Sequence, residues 1–169
     1  MEIWDLYDEN RQIIGEHIRG EELPDNGYHL VVHVWIRNSK GQFLIAQRSA
    51  SREQNPLMWE CQGGSVLKGE TSIQGALREV KEEVGIDLDA DKGKVIFSKN
   101  RGFINGHKFN DIMDVWLFEY DGECVLEKAT TKEVAQTKWL YPNEIMQLYN
   151  NNQLVLTLAY FFEKIVNYK

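Results

Sequence analysis

The 169-residue chain is poor in the features that mark most specialised classes of protein. It has only two cysteines, Cys61 and Cys124, too few for a disulfide framework, so a reducing compartment is the simple reading. No apolar run approaches the ~20 residues of a membrane span. The longest candidate, Leu154 to Phe162, is short and ends at Glu163-Lys164. The opening Met1-Glu2-Ile3-Trp4-Asp5 carries an acid early and has no basic segment before an apolar one, so it does not resemble a secretory signal. Together these absences predict a cytoplasmic protein with no membrane partner. Positive charge is also in short supply. Nineteen Lys and Arg face twenty-six Asp and Glu, a net charge of −7, which argues against a nucleic-acid polymer as partner. A small phosphorylated substrate stays open, because a bound divalent cation can supply the missing positive charge.

What is present is ordinary globular composition, 43% apolar and 27% charged, with enough length to bury a core. No linker, internal repeat or low-complexity segment interrupts it, so residues 1–169 are taken as one domain. Residues 2–7 and 12–18 read as strands around the polar turn Asp8-Glu9-Asn10-Arg11, an N-terminal hairpin within residues 1–20. Its strand edges could support a homodimer. The run His29 to Arg37 is rich in β-branched and aromatic residues, and Gln42 to Gln47 pairs back on it after the turn Asn38-Ser39-Lys40-Gly41. Trp59 to Gln62 reads as another short strand, followed by further strand-like stretches at 94–98, 109–120 and 134–140. Between them, Ile73, Ala76, Leu77, Val80 and Val84 recur at helical spacing, and Gly85 stops the helix. A short helix opens at Pro142 and a final helix is predicted over 153–167. This is a mixed α/β, or α+β, domain.

The chemistry concentrates in one stretch. Glu79, Glu82 and Glu83 stand at i, i+3 and i+4 and share one helical face. Like charges at that spacing repel, and a hard divalent cation with oxygen ligands is the natural means of offsetting them. A solvated acidic face would be the bland explanation for three carboxylates alone. The surroundings are less bland. Gly63-Gly64 can bring backbone close to a ligand, Glu70 precedes the helix, and Arg78 sits beside Glu79 to fix a carboxylate. Arg48, at the head of the polar loop that follows the second strand of the core, joins Gly63 and Gly64 as a candidate substrate contact.

Together Gly64, Glu70, Arg78, Glu79, Val80, Glu82, Glu83, Gly85 and Ile86 match every constrained position of the Nudix box, so residues 64–86 resemble that family's signature. The resemblance implies an α/β/α sandwich with a mixed sheet and MutT-like hydrolysis of a diphosphate linkage. It also implies Mg²⁺ or Mn²⁺ held by Glu79, Glu82, Glu83 and the Gly63 carbonyl, with Arg78 and Glu70 orienting them. The flanking segments resemble the hydrolases related to isopentenyl-diphosphate isomerase. An isomerase of that type needs a Cys immediately before the box glycine and a His immediately after it. Here those positions are Gly63 and Ser65, and Cys61 lies two residues away. His29 matches a metal-binding position of the isomerases, but Glu22 departs from a second one, and His29 and His33 read as hydrogen-bonded strand histidines. A Nudix-fold binding module without turnover is a third class, but such modules lose box carboxylates. Glu133, ahead of the strand-like Val134–Leu140, is the leading candidate for the general base, with Asp111, Asp114 and Glu119 behind it. Trp35, Trp59, Phe103 and Trp116 are read as core rather than as stacking partners. The expected substrate is a nucleoside di- or triphosphate, a pyrimidine one among the candidates.

Overall fold

The computed structural model describes residues 1–169. The N-terminal hairpin is β1 (Ile3–Tyr7) and β2 (Ile13–Ile18), paired antiparallel from Ile3 opposite Ile18. Arg11 closes its turn at φ 63°, and the side chain of Asp8 accepts from the amides of Asn10 and Gln12. Trp4 anchors the hairpin by stacking on His29 with ring centroids 4.2 Å apart.

Seven strands form the main sheet: β3 (His29–Arg37), β4 (Phe43–Arg48), β5 (Trp59–Glu60), β6 (Gln62–Ser65), β7 (Gly93–Ile104), β8 (His107–Glu119) and β9 (Val134–Leu140). β3 and β8 run parallel and the other pairs antiparallel, so the sheet is mixed. β3 and β4 pair only at Arg37 opposite Phe43, next to their connecting turn. Beyond that point they splay. β6 takes the open edge of β3, while β5 and β9 both pair with β4. A cleft opens at this splay, lined by His33 of β3, Arg48 of β4 and Gly63 of β6.

Alternation along β3 decides which face each side chain serves. Val32, Val34 and Ile36 are fully buried on the side of helix α1 (Ser72–Val84), against Ala76, Val80 and Val84. Val31 and Trp35 point the other way, toward Ile145 of helix α2 (Pro142–Asn150) and the C-terminal Leu154, Leu158, Phe161 and Ile165. Burying each large apolar side chain contributes about 1.5–3 kcal/mol, so the two clusters hold a three-layer α/β/α arrangement. α1 starts at Thr71, which forms a capping box with Gln74, and ends at Gly85 in the left-handed conformation (φ 72°). No helix is long and apolar enough to cross a membrane.

Two expectations need correction. Residues 153–167 do not form a continuous helix. Instead Gln153 to Val155 run beside β5, where Trp59 N donates to the Gln153 carbonyl and Val155 N to that of Trp59. Only a 3₁₀ turn at Leu156–Leu158 and one π-helical turn at Phe161–Ile165 follow. Strand pairing claims the backbone groups that a helix would use. Phe103 is also not core. It is 72% exposed near the β7–β8 turn, beyond the irregularity between Arg101 and Phe103, whereas Trp35, Trp59 and Trp116 are buried.

Candidate active site

The Glu79–Glu83 face of α1 packs over β6, and the fit depends on two bare positions. Gly63 adopts φ 153°, and a Cβ there would collide with the Val32 carbonyl oxygen. At Gly64 a Cβ would come within 2.5 Å of the Glu79 carboxyl carbon. Glycine therefore lets a carboxylate approach the strand closely.

Arg78 is the hub of the site. Its Nε and Nη2 grip both oxygens of Glu70 at 2.8 and 3.0 Å, and Nη2 also donates to the Ser65 carbonyl. Nη1 reaches Glu79 Oε1 at 2.9 Å and Glu82 Oε2 at 3.1 Å. Glu83 receives no cation. Its Oε2 accepts from the Gly63 amide at 3.1 Å. Glu79, Glu82 and Glu83 thus each have one oxygen anchored, and their second oxygens have no hydrogen-bond partner and are not sealed from solvent.

Burial raises Glu79 to about 7 against the opposing pull of Arg78, with Glu82 and Glu133 adding repulsion. Burial also pushes Glu83 well above the ordinary carboxylate range, with Glu60 and Glu79 reinforcing it. Glu70 goes the other way. Burial would raise it, but the Arg78 fork and the Leu67 amide together outweigh that and hold it low. One guanidinium is thus shared among Glu70, Glu79 and Glu82, and none reaches Glu83. An all-oxygen donor set of this kind fits Mg²⁺ or Mn²⁺. Gln62 borders the same cleft, and its Oε1 is buried without a hydrogen-bond partner. In this structure no three His, Cys, Asp or Glu side chains come close enough together to hold a metal ion on their own. Mg²⁺ usually fills its remaining positions with water and substrate phosphate.

The cleft around these groups has a volume of about 320 Å³ and contains Arg48, Gly63, Gly64, Glu79, Glu82, Glu83 and Glu133 in its lining. Glu133 reaches it because the loop before β9 is stitched to α1. Thr130 and Thr131 amides both donate to the Glu82 carbonyl. Arg52 pairs with Glu133 at 2.6 Å, and Arg48 with Glu60 at 2.7 Å. The structure separates the weaker base candidates from this cleft. Asp111 is gripped by Arg101, Asp114 by Arg11, and Glu119 by Arg37, and none of the three acids lines it. Glu22 is exposed elsewhere. His29 stacks on Trp4, and His33 hydrogen-bonds Tyr160 through Nδ1. Burial lowers them to about 4 and about 3, with Arg101 contributing. Cys61 is buried in the second apolar cluster, and burial pushes its thiol up.

Sequence reasoning missed Arg19, Arg52, Arg101 and Glu60, which also line the cleft. The three arginines come from separate elements and share no local spacing. Glu60 carried a usable signal, as a lone acid in a short strand ahead of the glycine pair.

Comparison with known proteins gives a consistent picture. The NUDIX domain family matches residues 27–161. An uncharacterized Nudix hydrolase of Listeria innocua is 39% identical over 164 residues, covering 96% of this chain and 91% of its own. The crystal structure of a Deinococcus radiodurans protein superposes with a TM-score of 0.73 at 24% identity, covering 91% of this chain and 92% of its own. A MutT protein from Methanosarcina mazei gives 0.64 at 28% identity, covering 80% and 91%.

Proposed function

Since the chain belongs to the Nudix hydrolase family, we propose that it hydrolyses the diphosphate linkage of a small nucleotide-like substrate, a nucleoside di- or triphosphate, with Mg²⁺ or Mn²⁺. The observation that carries this reading is the set of three carboxylates, each anchored through one oxygen and open at the other. Glu79, Glu82 and Glu83 would hold the cation, with the Gly63 carbonyl beside them. When bound, the metal would neutralise phosphate charge, orient the diphosphate and acidify the attacking water. Arg78 and Glu70 fix the carboxylate rotamers, as outer partners of metal ligands commonly do. Arg48 stands on the cleft wall, where its guanidinium can meet phosphate oxygens. Glu133, which lines the cleft and pairs with Arg52, would take the proton of the water that attacks phosphorus. The P–O–P bridge then breaks, and a nucleoside diphosphate yields nucleoside monophosphate and phosphate.

Isomerisation of an allylic diphosphate needs an acid and a base near carbon. Gly63 and Ser65 supply neither, and Cys61, although it borders the cleft, is only 5% exposed and burial pushes its thiol up. Cys61→Ala should retain most activity. A binding module without turnover has no need of three intact box carboxylates. In a panel of nucleoside diphosphates with Mg²⁺ in H₂¹⁸O, label should appear on a phosphorus-bound oxygen and turnover should stop on adding EDTA. Turnover undiminished in excess EDTA would sink the proposal.

A further inference from the structure

Three aromatic side chains behind the cleft share one hydrogen-bond chain. Trp35 Nε1 lies 3.0 Å from the Tyr160 hydroxyl oxygen, and His33 Nδ1 lies 2.8 Å from the same oxygen. An indole N–H only donates, so it occupies a lone pair on Tyr160. The hydroxyl keeps one proton to give. Two groups compete for it, His33 Nδ1 and the neighbouring Cys61 thiol. A thiol sulfur is a weak acceptor and an imidazole nitrogen a good one, so the proton goes to His33 Nδ1. The ring's own proton then sits on Nε2.

The Nε2 of His33 is unused by the protein. It has no hydrogen-bond partner and is not sealed from solvent. His33 lines both the carboxylate cleft and the compartment next to it, so it stands at their junction. The second compartment also contains Gln54, Arg101, His107, Phe109 and Thr157. The Arg101 guanidinium lies 4.5 Å from the Phe109 ring centroid, and both Arg101 nitrogens that face Asp111 are tied to it. His107 meets Phe109 at 4.6 Å, edge-on. Flat rings and a held guanidinium beside a phosphate site suit a nucleobase, whose π-face stacks on either.

We propose that His33 is a specificity-determining residue, a donor preset on Nε2 that reads an acceptor atom on the nucleoside carried by the diphosphate. Tyr160 is the residue that positions it. The kinetic arm of this inference rests on the hydrolase reading, while the tautomer does not.

The test has two arms on the full-length chain with Mg²⁺. Long-range ¹H–¹⁵N correlation should show His33 protonated on Nε2 and bare on Nδ1, and Tyr160→Phe should move it toward a tautomer mixture. In the second arm, His33→Gln places its amide nitrogen near the Nε2 position, whereas His33→Asn places it near Nδ1. With ADP, GDP, CDP and UDP as probes, Gln should stay near wild type. Asn should raise KM about three- to tenfold at nearly constant kcat, the loss of one neutral hydrogen bond. Should the wild type turn over none of the four, nor their triphosphates, the hydrolase reading fails by itself. The same comparison is then made on the Kd of the four nucleoside 5′-monophosphates. A His33 protonated on Nδ1 overturns the inference. So does equal behaviour of Asn, Gln and wild type, or no measurable nucleotide binding by the wild type.

Discussion

Two arginine–carboxylate clusters in this molecule are built from the same groups and end in opposite states. At the hairpin, Arg11 reaches across to β8 and its two nitrogens take both oxygens of Asp114, at 2.7 and 2.5 Å, with Ser98 adding a hydroxyl at 2.6 Å. Burial would raise Asp114, but these bonds outweigh it and hold the acid below its ordinary value. On α1 a single guanidinium is divided among Glu70, Glu79, Glu82 and a backbone carbonyl, and Glu83 gets none. Glu79 and Glu83 are raised instead. The difference teaches where charge is left for a ligand. A saturated acid fastens two parts of the fold together, and a half-satisfied one keeps an oxygen free.

The sharpest way to break this contrast is Glu83→Gln. Losing a ligand that contributes several kcal/mol of transition-state charge stabilisation should lower kcat by about 10³-fold or more. The melting temperature should not fall, because Glu83 has no cation partner and burial already favours its neutral form. A variant that turns over normally, or that unfolds, would place Glu83 with the fastening acids. Arg78→Lys comes next. A lysine cannot fork to Glu70 while bridging Glu79 and Glu82, so kcat should drop about 10–100-fold with KM less affected. Steady-state kinetics at saturating metal measures both values.

On the other side, Asp114→Asn should leave kcat within a few-fold but cost about 2 kcal/mol of stability in urea unfolding. That lies below the usual cost of breaking a buried pair because the Arg11 side chain is 41% exposed. A smaller effect follows from pH. Asp114 has a folded pKa below its ordinary value of 3.8, so its contribution is complete above that value and lost as pH falls through the folded one. The stability difference between wild type and Asp114→Asn should therefore narrow below about pH 4. A gap that stays constant down to acid unfolding would contradict the assignment.

The cluster on α1 was legible in the sequence because its members are local. Helical spacing alone put Glu79, Glu82 and Glu83 on one face, and Gly85 marked the helix end. The hairpin was legible for the same reason, in its polar turn. What stayed hidden depends on contacts across the chain. Arg11 and Asp114 lie 103 residues apart and nothing in their neighbourhoods announces the pair. The helical pattern at 153–167 was overruled by Trp59, nearly a hundred residues earlier, whose strand captures the backbone there. Arg19, Arg52 and Arg101 meet at the cleft only after the sheet has formed.

The central claim is that the half-satisfied carboxylates of α1, and no other acids, hold the divalent cation. Titration with Mn²⁺, following the loss of the free-ion signal by electron paramagnetic resonance, tests it directly. Wild type and Asp114→Asn should bind Mn²⁺ alike, while Glu79→Gln and Glu83→Gln should bind it much more weakly with their folds intact. Equal Mn²⁺ affinity in wild type and Glu83→Gln, or weakened affinity in Asp114→Asn, would contradict the account.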